Sequence, residues 1–225
     1  LIIFTSDNGL LIGEHKLGGK EIALEPSLQL PMFIRYPKWF APGTLINDEM
    51  AMNIDIAPTV LDAAGIPDTF HLDGISMRSL ANGSAHRKEL FYEFFYRSNC
   101  NPTFQAVRDF QYKYVKNQCS GTSEEFYDLV NDPLETKNLI NAPNYATLIA
   151  LYQDKLDSLE DQYGFVNISD TTLPCSLWSA DSSVIQFKAN SANVLSDELQ
   201  LFPNPVHDQI TLQYAGGAAG DLHLS

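Results

Sequence analysis

Four side chains that could do chemistry together stand within the first twenty residues: Asp7, Asn8, His15 and Lys20. Asp7-Asn8-Gly9 closely follows the apolar run Leu1-Ile2-Ile3-Phe4, which reads as a strand buried on both faces. Open α/β sheets place their sites at the carboxyl ends of such strands. A carboxylate beside an amide oxygen suits a hard cation such as Ca²⁺ or Mg²⁺ and suits zinc poorly. Gly9 lets the backbone turn sharply, so the two side chains can converge rather than splay. Lys20, following Gly18-Gly19, could hold the oxygens of a tetrahedral anion as a point charge. Each feature also has a plain reading. Asp7 and Asn8 could form an Asx turn at a strand end, and His15 and Lys20 could be solvated loop residues.

The elements that must position these residues follow α/β grammar over 1–88. After the opening strand, Pro31 to Pro37 bounds a second strand. Asp55 to Gly65 then reads as a helix, with Asp55 able to cap it, Pro58 in its first turn and Gly65 stopping it. From 89 to 164 the texture becomes a small antiparallel sheet with a covering helix. Its predicted strands are Leu90 to Phe95, Gln105 to Arg108, Gln111 to Lys116 and Glu125 to Leu129, with Asp109-Phe110 as the turn between the middle two. Apolar residues at 148, 149, 152, 156 and 159 share one helical face. Residues 165–195, rich in Ser, Asn and Asp, read as a linker. Residues 196–225 regain strand character.

Composition excludes other classes. Fourteen Lys and Arg against 28 Asp and Glu give a net charge of −14, the wrong sign for binding a polyanion. No apolar run approaches the roughly 20 residues of a membrane span. The opening lacks the charged lead of a signal peptide, and both ends lie in strand-like sequence, so the chain reads as an internal fragment.

Taken together, the motifs resemble the second signature region of the type I sulfatases, in the alkaline-phosphatase-like superfamily. They are Ser6 to Gly9, Gly13-Glu14-His15, Lys20, Glu25 with Ser27, and Ile34-Arg35 with Pro37. The likeness continues through Asn53 to Thr59, Leu72 to Ser76, Arg108 to Tyr114, Tyr127-Asp128-Leu129 and Asn131-Asp132-Pro133. It implies the C-terminal portion of a sulfatase fold over about 1–163. It further implies Ca²⁺, with Mg²⁺ a poorer fit, held by Asp7 and Asn8 together with two upstream aspartates. Lys20 would contact the sulfate, and His15 would lie at the substrate pocket. The nucleophile implied is a formylglycine made within an upstream C/S-x-P-x-R motif, so this fragment alone is expected to be inactive. Cys100-Asn101-Pro102-Thr103-Phe104 begins like that motif but has Phe104 where Arg is required. Gln29 stands where the family pattern has Arg.

If the hairpin turns at Asp109-Phe110, Cys100 and Cys119 face each other at its base. A disulfide is then allowed in an oxidising compartment, with two reduced thiols as the alternative; Cys175 is left over. Leu199 to Val206, containing Phe202-Pro203-Asn204-Pro205, and the following Ile210-Thr211-Leu212 resemble the start of a β-sandwich sorting domain of type IX secretion in Bacteroidetes. That likeness implies the secretion machinery as a partner and a secreted or cell-surface location. The expected activity is release of sulfate from a sulfated carbohydrate or similar ester. The alternatives are a phosphodiesterase or phosphonate monoester hydrolase of the same superfamily, and a non-catalytic glycan-binding surface protein.

Overall fold

The computed structural model describes residues 1–95, 103–119 and 121–164, which belong to one compact unit. Strand β1, Ile2–Thr5, leads into the Asp7-Asn8 loop. Two two-residue strands, β2 (Leu11–Ile12) and β3 (Gly18–Gly19), then form a miniature hairpin that delivers Lys20. A single helical turn, α1 (Glu25–Leu28), precedes β4 (Met32–Arg35). β4 pairs antiparallel with β1, setting Phe4 opposite Phe33 with ring centroids 6.0 Å apart.

β1 is not buried on both faces as expected: Ile2 is 59% and Phe4 64% exposed. Among the described residues its sheet has two strands, so the outward side chains of both, Phe33 included, remain in contact with solvent.

The predicted helix forms as α2, Ile56–Ala64, and Gly65 ends it in the left-handed conformation at φ 68°. Asp55 does not cap it. Fully buried, this carboxylate accepts the backbone N–H groups of Met52 at 2.7 Å and Ile75 at 2.8 Å. It also binds both guanidinium nitrogens of Arg87, at 2.5 and 2.6 Å. A buried anion needs a cation and several donors, and that requirement outranks capping. A further short helix, α3 (Met77–Ala81), follows; the backbone N–H of Met77 donates to Thr59 Oγ1.

Strands β5 (Leu90–Phe94), β6 (Thr103–Arg108), β7 (Tyr112–Cys119) and β8 (Gly121–Asp128) form an antiparallel sheet in that order. Side chains alternate between its faces. One face presents Phe91, Val107, Tyr114 and Phe126 to Ile149, Tyr152 and Leu156 of α4 (Ala146–Tyr163), the predicted covering helix. The other presents Tyr92, Phe104, Ala106 and Val115 to Ala23, just before α1. Among the described residues, no helix is long and apolar enough to cross a membrane.

The β6–β7 hairpin turns at Phe110-Gln111, not Asp109-Phe110. Asp109 takes the first turn position, where Oδ1 accepts the N–H groups of Gln111 and Tyr112, both at 2.9 Å. Thr103 therefore pairs with Gln118, not with Lys116 as a turn at Asp109-Phe110 requires. The expected pairing of Cys100 with Cys119 rests on that turn. Cys100 and the side chain of Cys119 lie outside the described residues, as do Cys175, the 165–195 linker and the 196–225 sorting segment.

Candidate functional site

Asp7 and Asn8 converge. Lys20 Nζ lies 3.7 Å from Asp7 Oδ2 and donates to Asn8 Oδ1 at 2.9 Å, so both oxygens face one cationic point. Asp7 is held below the usual carboxylate range, chiefly by the Asn8 backbone N–H, then by the Ser6 hydroxyl, with Lys20 adding a smaller charge effect. It is anionic at neutral pH and, at 80% exposure, open to further ligands.

Gly9 makes this geometry available, for a reason other than the one the sequence suggested. Its N–H donates to Ser27 O at 2.9 Å, and a Cβ there would lie 2.1 Å from Pro26 O and 2.7 Å from Gln29 O. The loop is pressed against the backbone of α1, and only glycine fits. Gly9→Ala is therefore expected to cost about 1–3 kcal/mol of stability, measurable as a fall in the urea midpoint.

Behind the pair is a cavity of about 280 Å³, lined among others by Asp7, Asn8, Gln29, Asn53, Tyr92 and Arg108. Its walls come from both parts of the chain: loops of the N-terminal α/β portion and strands β5 and β6. Burial, with Glu25 adding a like-sign push, raises the Tyr92 hydroxyl to about 12, so it remains a neutral donor. Arg108 is held by Glu25, with Nη1 3.4 Å from Oε2, and is 14% exposed. Tyr92 and Arg108 were not singled out as pocket residues from the sequence. The signal was their sheet register: Leu90 opposes Arg108 and Tyr92 opposes Ala106, which places both side chains on the α1 face. A larger cavity of about 620 Å³, lined by Phe33, Tyr36, Phe40, Leu45 and Met77, is mainly apolar and includes none of Asp7, Asn8 or Lys20.

His15 lies apart from this cavity lining. It is half-buried in the single turn 14–16 at φ 54°. Lys16 and Glu21, at φ 59° and 71°, share that left-handed backbone. Three non-glycine residues in this region cost of order 1–3 kcal/mol each, and such strain gathers at functional loops.

The donor chemistry fits a hard divalent cation. Two oxygens, one anionic and one neutral, already close on a positive group, and they would supply two of the six to eight oxygens that calcium takes. Among the described residues, no group of three or more His, Cys, Asp or Glu forms a metal cluster.

Comparison with known proteins gives the fold its class. A protein solved in complex with its substrate D-glucosamine-2-N,6-O-disulfate superposes with a TM-score of 0.68 at 26% identity, covering 75% of this chain and 35% of the other. The fold is that of the alkaline-phosphatase-like sulfatases. Residues 13–162 match the family described as N-sulphoglucosamine sulphohydrolase, C-terminal, and the chain belongs to that family. It is 27% identical over 170 residues to N-acetylglucosamine-6-O-sulfatase of Bacteroides thetaiotaomicron. It is 34% identical over 160 residues to choline-sulfatase of Rhizobium meliloti. These alignments cover 72% and 67% of this chain and 30% of each relative.

Proposed function

We propose that this chain is the C-terminal portion of a sulfatase that releases sulfate from a sulfated carbohydrate. The observation that carries the reading is the convergence of Asp7 and Asn8 oxygens on one cationic point at the edge of a polar cavity, in a chain of this family. Similarity to N-acetylglucosamine-6-O-sulfatase and to the protein solved with a sulfated glucosamine supports a sugar sulfate as substrate. Asp7 and Asn8 would hold Ca²⁺ together with upstream carboxylates. When bound, the cation would polarise sulfate oxygens and help activate the nucleophile, a formylglycine assigned to upstream sequence.

The chain's own residues do the rest by position and charge. Lys20 reaches the pair from the β2–β3 hairpin, and its ammonium is placed to turn from the protein oxygens to those of a bound sulfate. Tyr92 and Arg108 line the inner wall, offering a neutral hydroxyl donor and a fixed positive charge to substrate oxygens. His15 is assigned to the substrate side by resemblance alone. The Phe202 to Pro205 motif supports export through type IX secretion.

The test is sulfate release by the full-length protein from N-acetylglucosamine 6-sulfate, followed by ion chromatography, with a phosphonate monoester in parallel. Turnover of the phosphonate alone would favour the hydrolase alternative, and turnover of neither the binding-module alternative. Lys20→Ala is expected to lower kcat/KM for the sulfate ester about a hundredfold, with the melting temperature shifting little because Lys20 is exposed. Unchanged turnover would return Lys20 to a solvated loop role.

A further inference from the structure

Beneath the candidate site lies a charge that the proposed reaction does not use. Lys113, on β7, is fully buried. Its ammonium lies 3.1 Å from Glu25 Oε1, pairs closely with Glu135 Oε1, and sits 6.0 Å from the centre of the Tyr127 ring. Glu135 also accepts the backbone N–H of Glu25 at 2.7 Å. To present its carboxylate there, Glu135 adopts φ 55°, a left-handed conformation that costs a non-glycine residue of order 1–3 kcal/mol. Arg108 closes the group on the other side of Glu25. Two anions and two cations thus balance in a space with little water.

What this group holds is α1. Glu25 is its first residue, and the carbonyls of Pro26 and Gln29 are the atoms against which Gly9 is pressed, with Gly9 N–H bonded to Ser27 O. Asp7 and Asn8 are the two residues before Gly9. An unbroken line of contacts therefore runs from the Lys113 ammonium, through the Glu25 and Glu135 carboxylates and the backbone of α1, to the two oxygen donors.

We propose that Lys113 is a positioning residue for the Asp7–Asn8 pair, acting through Glu25 and Glu135 on α1 to fix the spacing of the two oxygens that grip the divalent ion. This rests on the reading that Asp7 and Asn8 hold that ion. Without Lys113, Glu25 keeps Arg108 while Glu135 loses the ammonium it pairs with, and repulsion between the two buried carboxylates displaces the start of α1. The exposed ion pairs elsewhere, such as Lys116 with Asp157, have no such line to the site and contribute little.

The test is calcium titration of the full-length, chelator-stripped protein by isothermal calorimetry, with circular dichroism to establish folding. Lys113→Met is expected to bind Ca²⁺ at least tenfold more weakly while still folded, and Glu25→Gln about threefold more weakly. A purely structural lysine would lower the melting temperature yet leave the affinity of the folded fraction unchanged. That result for folded Lys113→Met overturns the proposal. Where Lys113→Met yields no folded protein, Glu25→Gln decides: weaker binding supports the proposal and wild-type binding overturns it. Asp7→Ala serves as the control. If it keeps wild-type affinity, the metal reading itself fails and this proposal with it. If Asp7→Ala loses binding and the folded Lys113 and Glu25 variants do not, only the positioning role fails.

Discussion

Asp7→Ala in the full-length protein is expected to lower kcat/KM for a sulfate ester roughly a thousandfold or more, the loss of several kcal/mol of charge stabilisation by a bound cation. Stability should hardly change. The Asp7 carboxylate is largely exposed, its contacts are the Ser6 hydroxyl, the Asn8 backbone and a 3.7 Å approach by Lys20, and surface changes of this kind stay within about 0.5 kcal/mol. Three measurements check this together: sulfate release, calcium affinity and the thermal midpoint. A large activity loss with normal calcium binding would move Asp7 from ligand to substrate contact. Full activity would remove it from the site.

Arg87→Leu should do the opposite, removing stability without touching the pair. It strips the guanidinium from Asp55, a carboxylate with no solvent exposure that is then left with only the N–H groups of Met52 and Ile75. Breaking a buried pair from one side costs about 3–5 kcal/mol, or roughly 10 °C in melting temperature at this chain size. Denaturant unfolding gives the number directly. A cost below about 1 kcal/mol would mean that water reaches Asp55 and solvates it.

The sequence disclosed what depends on neighbours in the chain. The apolar run before Asp7 formed a strand, though not one buried on both faces, and the 3.6-residue period of α4, Gly65 as a helix stop and the alternating strands after residue 89 formed as expected. It disclosed less wherever distant residues decide the outcome. Asp55 looked like a helix cap because its partner Arg87 lies 32 positions away. Lys113 looked like an ordinary strand residue, since Glu25 is 88 positions distant and the Glu25–Glu135 bond spans 110. The hairpin slipped by one position because Asp109 satisfies two backbone donors at the start of the turn rather than at its centre. Asp7, Asn8 and Lys20 were legible by type and spacing. That Tyr92 and Arg108 line the same cavity as Asp7 and Asn8 required the register of β5 on β6.

The division of that cavity between two stretches of chain constrains how it can diversify. Its Asp7–Asn8 rim belongs to the chain before residue 88, while Tyr92 and Arg108 are borne on a sheet that also holds α1 through Lys113. Grafting a relative's sheet onto these loops would import new contacts for the substrate and a new foundation for the metal donors in one stroke. On the proposed reading selectivity and ion affinity would be mechanically coupled, so a change that tunes one must be compatible with the other.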